Sequence, residues 1–300
     1  MKAKLLVLMF LFQVSFLHSQ TLQNTLKENQ EVIILQEELY DQVSWVNGDH
    51  RIAFVSKFEG NRNIYFIELR TTSIDKMSKN IFRASYLSQQ SPKKLIYKPL
   101  TEPGDTNYYQ PDWSPLGNDI VCLGDYENKN EVLLIRVVDK KITSTGLHNI
   151  HLVHWFTNDE LYYVENKNRK KLFKYNRITE QKTEIKEFDN EIIGFTGKSR
   201  DLVIVFTDGV YKINFTTKKE EFYPLPIQSN KVYANGPLSY VSKDAHGKIV
   251  HIDLNNKKMT TLVEGTNNSV PYLSESGDYL AYFSSLHNGL MIKKIIKEIK

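Results

Sequence analysis

The chain has 300 residues, 41% of them hydrophobic and 25% charged, enough to bury a sizeable core. Lys and Arg number 39 against 35 Asp and Glu, and the surplus falls to two without Lys2 and Lys4. So small an excess excludes an electrostatic grip on nucleic acid or anionic lipid, and the one cysteine, Cys122, excludes a disulfide framework or a multi-cysteine metal site.

The first element in chain order is an address. Met1-Lys2-Ala3-Lys4 is basic, Leu5 to Phe12 is an apolar run that continues weakly to Leu17, and His18-Ser19-Gln20 ends it. This pattern predicts a cleaved secretory signal peptide over 1–19. A membrane anchor would need about 20 predominantly apolar residues, and Gln13, Ser15 and His18 interrupt this stretch. No cysteine stands at the cut to carry a lipid. The expected location is therefore the periplasm or the cell exterior. Residues 20–30 read as a linker and 31–300 as one domain.

A repeating unit follows. Trp45 precedes the strand Ile52-Ala53-Phe54-Val55-Ser56, Trp113 precedes Ile120-Val121-Cys122-Leu123, and Leu273 precedes Leu280-Ala281-Tyr282-Phe283. In each, a turn containing glycine separates the two and a further apolar strand comes next. Weaker copies begin at Leu161, Leu202 and Leu238, so the steps between copies are 68, 41, 41, 36 and 42 residues. Steps near 40 match the length of a four-stranded propeller blade. Runs of four to six Tyr, Val, Ile and Phe bounded by Gly, Asn, Asp and Lys indicate strands. The expected fold is an all-β, six-bladed β-propeller of four-stranded antiparallel blades. A single blade leaves two faces uncovered, which is why the unit recurs.

Two irregularities are readable. The first step is 27 residues longer than the next, and Ile74, Met77, Ile81, Phe82 and Tyr86 fall close to helical spacing behind Ser73. This predicts a short helical insertion over about 73–87 in the first blade. The last copy ends near Ile292 and lacks an outer strand, whereas Val32-Ile33-Ile34-Leu35 is spare at the other end. That N-terminal strand is expected to join the last blade and close the ring. Ile292, Ile295, Ile296 and Ile299 also sit at helical spacing, which leaves a short terminal helix as an alternative.

Pro111-Asp112-Trp113-Ser114-Pro115-Leu116-Gly117, with Ile52-Ala53-Phe54 and Gly60, Ile64 and Tyr65, resembles the repeat of TolB-type β-propellers. In that family a Pro-x-Trp-Ser-Pro-x-Gly turn precedes an Ile-Ala-Phe-like strand, and a Gly-x-x-x-Ile-Tyr strand follows. The resemblance extends over about 270 residues, and what it implies is the blade. TolB itself carries an N-terminal domain, for which Gln20 to Gln30 is too short, so a TolB role at the outer membrane does not carry over.

Reactive constellations are sparse. No Gly-x-Ser-x-Gly elbow occurs, and no residues remain for a hydrolase domain. His148, His151 and His154 stand three residues apart, a separation that puts strand side chains on opposite faces and argues against a metal site. Asp125 to Asn130 lacks the glycine and final glutamate of an EF-hand loop. The Asp-box of sialidases is absent, and Asp112, Asp125 and Asp159 lie beside turns, where Asp is common. A carboxylate pair from two blades has no local signature.

Binding through loops on a rigid scaffold is the remaining expectation. The candidate interface residues are Phe58, Arg62, Tyr108, Tyr109 and Tyr126, of types favoured as interface anchors. The expected protein is exported, monomeric and non-catalytic, without cofactor or metal, and binds a protein partner in the cell envelope. The alternative is a glycan-binding or glycan-cleaving propeller that uses the channel mouth.

Overall fold

Two hydropathy patterns produce two kinds of strand. Ile52–Val55, Ile120–Leu123, Leu161–Val164 and Leu202–Phe206 are unbroken apolar runs, and every one of these residues is buried. An unbroken run has to be covered on both faces. By contrast Gln181–Glu187 is polar and exposed along most of its length, so it stands at an edge.

The structure is a computed structural model. It describes residues 31–35, 39–46, 48, 51–56, 61–68, 98–99, 101, 104–127, 129–197, 200–224, 233–234, 239–244, 247–253, 258–264, 271–274, 277–284 and 289–295. The expected signal peptide, linker and 73–87 helical insertion, and Phe58, lie outside the described residues. Among the described residues there are 24 strands and no helix. β1 (Glu31–Leu35) comes first. Sheet 1 is β2 (Leu39–Trp45), β3 (Arg51–Ser56), β4 (Asn63–Glu68) and β5 (Lys98–Pro99). Sheet 2 is β6 (Asn107–Trp113), β7 (Asp119–Tyr126), β8 (Lys129–Arg136) and β9 (Ile142–His148). Sheet 3 is β10 (Ile150–Trp155), β11 (Glu160–Glu165), β12 (Asn168–Asn176) and β13 (Gln181–Glu187). Sheet 4 is β14 (Gly194–Thr196), β15 (Asp201–Phe206), β16 (Gly209–Asn214) and β17 (Lys219–Pro224). Sheet 5 is β18 (Tyr233–Ala234), β19 (Ser239–Lys243), β20 (Ile249–Asp253) and β21 (Met259–Val263). Sheet 6 is β22 (Tyr272–Leu273), β23 (Tyr279–Ser284) and β24 (Gly289–Lys294), with β1 as its fourth strand.

All pairings are antiparallel, and the order is that of a β-propeller. The first strands touch in turn from β2 through β6, β10, β14 and β18 to β22, and β22 touches β2. β1 pairs with β24 in the register Val32↔Ile292 and Ile33↔Met291, so the strand expected to complete the last sheet does so. The long first step falls between β4 and β5 of sheet 1.

The core is divided among the spaces between sheets. Val55 and Ile64 of sheet 1 pack with Trp113, Ile120 and Ile135 of sheet 2. Val121 and Leu123 of sheet 2 pack with Trp155, Leu161 and Tyr175 of sheet 3. Tyr162 and Leu172 meet Leu202 and Ile204 of sheet 4, and Val241 and Ile249 meet Leu280 and Met291 of sheet 6. Each such side chain contributes about 1.5–3 kcal/mol when fully buried. Second strands therefore carry most of the apolar residues, and fourth strands carry few.

The Trp113-Ser114-Pro115-Leu116-Gly117 turn has a definite chemistry. Gly117 N–H donates to Ser114 O at 2.8 Å, and Asp119 N–H donates to Ser114 Oγ at 3.1 Å. Ser274 repeats both bonds with Gly277 and Tyr279. Gly117 has φ 70°, and a Cβ there would lie 2.5 Å from Val46 Cγ2, so this position of the repeat requires glycine.

Candidate functional site

Each tryptophan at the end of a first strand is preceded by a polar residue, Ser44, Asp112 or His154. Because all three occupy the same place in the repeat, stacking the sheets brings them together. Ser44 Oγ donates to Asp112 Oδ1 at 3.3 Å, and Trp155 N–H donates to Asp112 Oδ2 at 2.7 Å. His154 Nδ1 lies 2.8 Å from the same Oδ2, and its Nε2 faces the carbonyl of Gly197. The Trp113 indole N–H donates to Ser44 O at 3.1 Å, and that of Trp45 donates to Tyr272 O at 2.9 Å. A polar seam thus runs along the inner strands from sheet 6 to sheet 4. Further along the same strands, Gln110 N–H donates to Gln42 Oε1, and Gln110 Nε2 donates to His151 O at 3.0 Å.

The loop end of these strands holds most of the expected interface. Arg62 O accepts from Tyr108 N–H at 2.8 Å, and Arg62 N–H donates to Asn107 Oδ1 at 3.2 Å. Tyr108 is 8% exposed and packs with Val46, Val55, Trp113 and Cys122. Tyr109 points to the other side of β6, against the core shared by sheets 2 and 3. Its hydroxyl meets Asp125 and Asn130. Burial, reinforced by the Asp125 charge, pushes that hydroxyl up to about 12, while Asn130 and Arg62 oppose the shift. Tyr109 is therefore a neutral donor at ordinary pH. One oxygen of Asp125, Oδ1, is buried without a hydrogen-bond partner. Tyr126 follows directly as the last residue of β7 and is 48% exposed.

On sheet 3, burial and then the Arg169 charge pull His151 below its usual value, with Glu191 opposing. Asn130 ties sheets 2 and 3 by two bonds of 2.7 Å to the backbone of Ile150. The fold therefore gathers Arg62, Tyr108 and Tyr109, with Tyr126 at the rim. Asp125, Asn130 and His151 join them, and they have no motif that marks them in sequence. The seam residues Ser44, Asp112 and His154 do have one, the polar position before each tryptophan. Chemically, the loop end brings together a guanidinium, a neutral phenol and a carboxylate, one of whose oxygens is buried without a donor.

No protein-family model matches the sequence, and no curated protein matches it. Solved structures do match. An oligogalacturonate lyase from Vibrio parahaemolyticus superposes with a TM-score of 0.53 at 12% identity, covering 89% of this chain and 92% of that one. An oligogalacturonate lyase in complex with manganese gives 0.54 at 8% identity, covering 91% and 99%. A chain of the mitotic checkpoint complex gives 0.55 at 10% identity, covering 91% and 93%. At such identities the likeness shows the fold alone. It nevertheless corrects one expectation, that the protein has no catalytic centre. Two of these three matches are enzymes built on this fold along nearly their whole length, so the lack of a reactive motif does not exclude catalysis. The physical reason is that residues drawn from separate sheets leave no local spacing to read.

Proposed function

We propose that the chain is an exported TolB-type propeller that binds a protein partner in the cell envelope through the loop end of sheets 1 to 3. The observation that carries this reading is the half-exposed Tyr126 beside the ordered group of Arg62, Tyr109, Asp125 and Asn130. A rigid aromatic next to preorganised polar groups loses little entropy on binding. Export rests on the basic and apolar N-terminal residues, and the TolB-type assignment rests on the Pro111–Gly117 turn. In a pull-down from envelope extract, wild type should retain a partner that Tyr126→Ala and Arg62→Ala lose. Equal retention by both variants would overturn the reading.

A second reading has its own support. Two of the solved structures above are lyases of an acidic oligosaccharide, and Arg62, His151 and Arg169 supply cationic or polar groups at the same end. This reading has the protein bind or cleave a glycan there. A glycan array, followed by product analysis on any glycan retained, separates the two. Glycan binding without a protein partner would replace the first reading.

A further inference from the structure

The first strands of sheets 1, 2 and 3 share an irregularity. In β2 the register shifts between Leu39 and Val43, in β6 between Tyr109 and Asp112, and in β10 between Ile150 and Leu152. The described pairs of β14, β18 and β22 run without a shift. A bulge adds residues that the neighbouring strand does not oppose and re-aims the side chains there. Gln42, Gln110 and His151 all stand within these bulges. Gln110 is the strained member, with φ 52°. The other described non-glycine residues with positive φ are Glu127, Lys140, Asn149, Glu180 and Lys218, and all of them lie between strands. Gln110 lies inside one. Such a conformation costs about 1–3 kcal/mol and persists only where its surroundings impose it.

Here the neighbouring strands impose it. Gln110 N–H donates to Gln42 Oε1, and Gln110 Nε2 donates to His151 O at 3.0 Å. These two bonds orient both amides, since an N–H needs an acceptor and a carbonyl needs a donor. Gln42 Nε2 is left as a donor and Gln110 Oε1 as an acceptor. Both residues are half-buried, and neither group has another partner among the described residues. They stand on adjacent inner strands, which line the axis of a propeller. A donor beside an acceptor suits two neighbouring hydroxyls, because each hydroxyl both gives and takes a hydrogen bond. We propose that this wall of β2, β6 and β10 binds one ring of an uncharged sugar, with Gln42 Nε2 and Gln110 Oε1 on adjacent hydroxyls. The site rests on the glycan reading and narrows it to one subsite and one class of sugar. Asp112, two residues further along β6 with its side chain 19% exposed, sets a carboxylate nearby and disfavours a uronate. An added peptide strand is the poorer occupant, because bulges break the regular edge it would pair with.

The test uses the full chain on an array of neutral and uronate-containing oligosaccharides, followed by titration calorimetry with the strongest ligand. A neutral sugar should bind. Gln42→Glu keeps the acceptor for Gln110 N–H but removes the donor, and should weaken binding at least about tenfold. Gln110→Gly should weaken it as much while its melting curve stays close to wild type, because glycine adopts positive φ freely. Tyr126→Ala should leave the affinity unchanged. If wild type retains no glycan, the glycan reading and this site fail together. A neutral sugar bound equally well by both glutamine variants would overturn this site and leave the glycan reading standing. Preference for uronates would overturn the class of sugar. Retention of a protein from envelope extract that Gln42→Glu abolishes, with no sugar bound, would place a peptide on this wall instead.

Discussion

His154 Nδ1 stands 2.8 Å from Oδ2 of Asp112, across the boundary between sheets 2 and 3. The same oxygen accepts the Trp155 N–H, and the other oxygen accepts Ser44 Oγ. Asp112 therefore holds three sheets together at one carboxylate. Its side chain is mostly buried, so removing it leaves a backbone N–H and an imidazole without their acceptor. Asp112→Ala should destabilise the protein by about 2–3 kcal/mol in urea unfolding. Coupling to His154→Ala in a double-mutant cycle should be about 1–2 kcal/mol. Additive effects would show that the contact holds nothing.

Trp113 and Trp155 are equivalent in the repeat and both fully buried, yet only Trp113 has its indole N–H placed on an acceptor, Ser44 O. The Trp155 Nε1 is buried without a hydrogen-bond partner. Trp113→Phe loses a made bond, whereas Trp155→Phe removes a donor that is already desolvated. The first should cost about 1 kcal/mol more than the second in chemical denaturation.

β1 covers the edge of β24. Deleting Glu31–Leu35 leaves that edge open and sheet 6 with three strands. The melting temperature should fall by roughly 5–10 °C, the shift expected for a few kcal/mol in a large domain. Light scattering should then report association through the exposed edge. An unchanged melting curve would show that β1 adds nothing to the closure.

Stability should also respond to mild acid. Burial holds His151 and His251 below the ordinary value of 6.5 in the folded state. The unfolded chain therefore takes up protons more readily than the folded one. The stability tied to the neutral rings is complete above about 6.5 and is lost as pH falls below it. The urea midpoint should drop over that window, and His151→Gln should remove part of the drop. Burial is the first cause of both shifts, so added salt should change the window little.

Much of the architecture was legible in the amino-acid order. The six apolar runs expected to start at Ile52, Ile120, Leu161, Leu202, Leu238 and Leu280 correspond to β3, β7, β11, β15, β19 and β23, each within a residue of its expected start. The ambiguous Ile292 belongs to β24. Alternation also separated His151 from His154: one lies under Arg169 and Glu191, and the other reaches Asp112. Whether the chain is catalytic was not legible, because the expectation rested on local motifs alone.

Strand positions, turn chemistry and the completing role of Val32–Leu35 follow from periodicity, since burial on one or both faces of a strand is a property of neighbouring residues. The seam of Ser44, Asp112 and His154 required the sheets to be stacked, whereas the meeting of Tyr109 with Asp125 and Asn130 required the three strands of sheet 2 to pair in register. The seam contacts join residues a whole repeat apart. Which side chains face one another there depends on how two sheets rotate and settle, and no spacing along the chain encodes that angle.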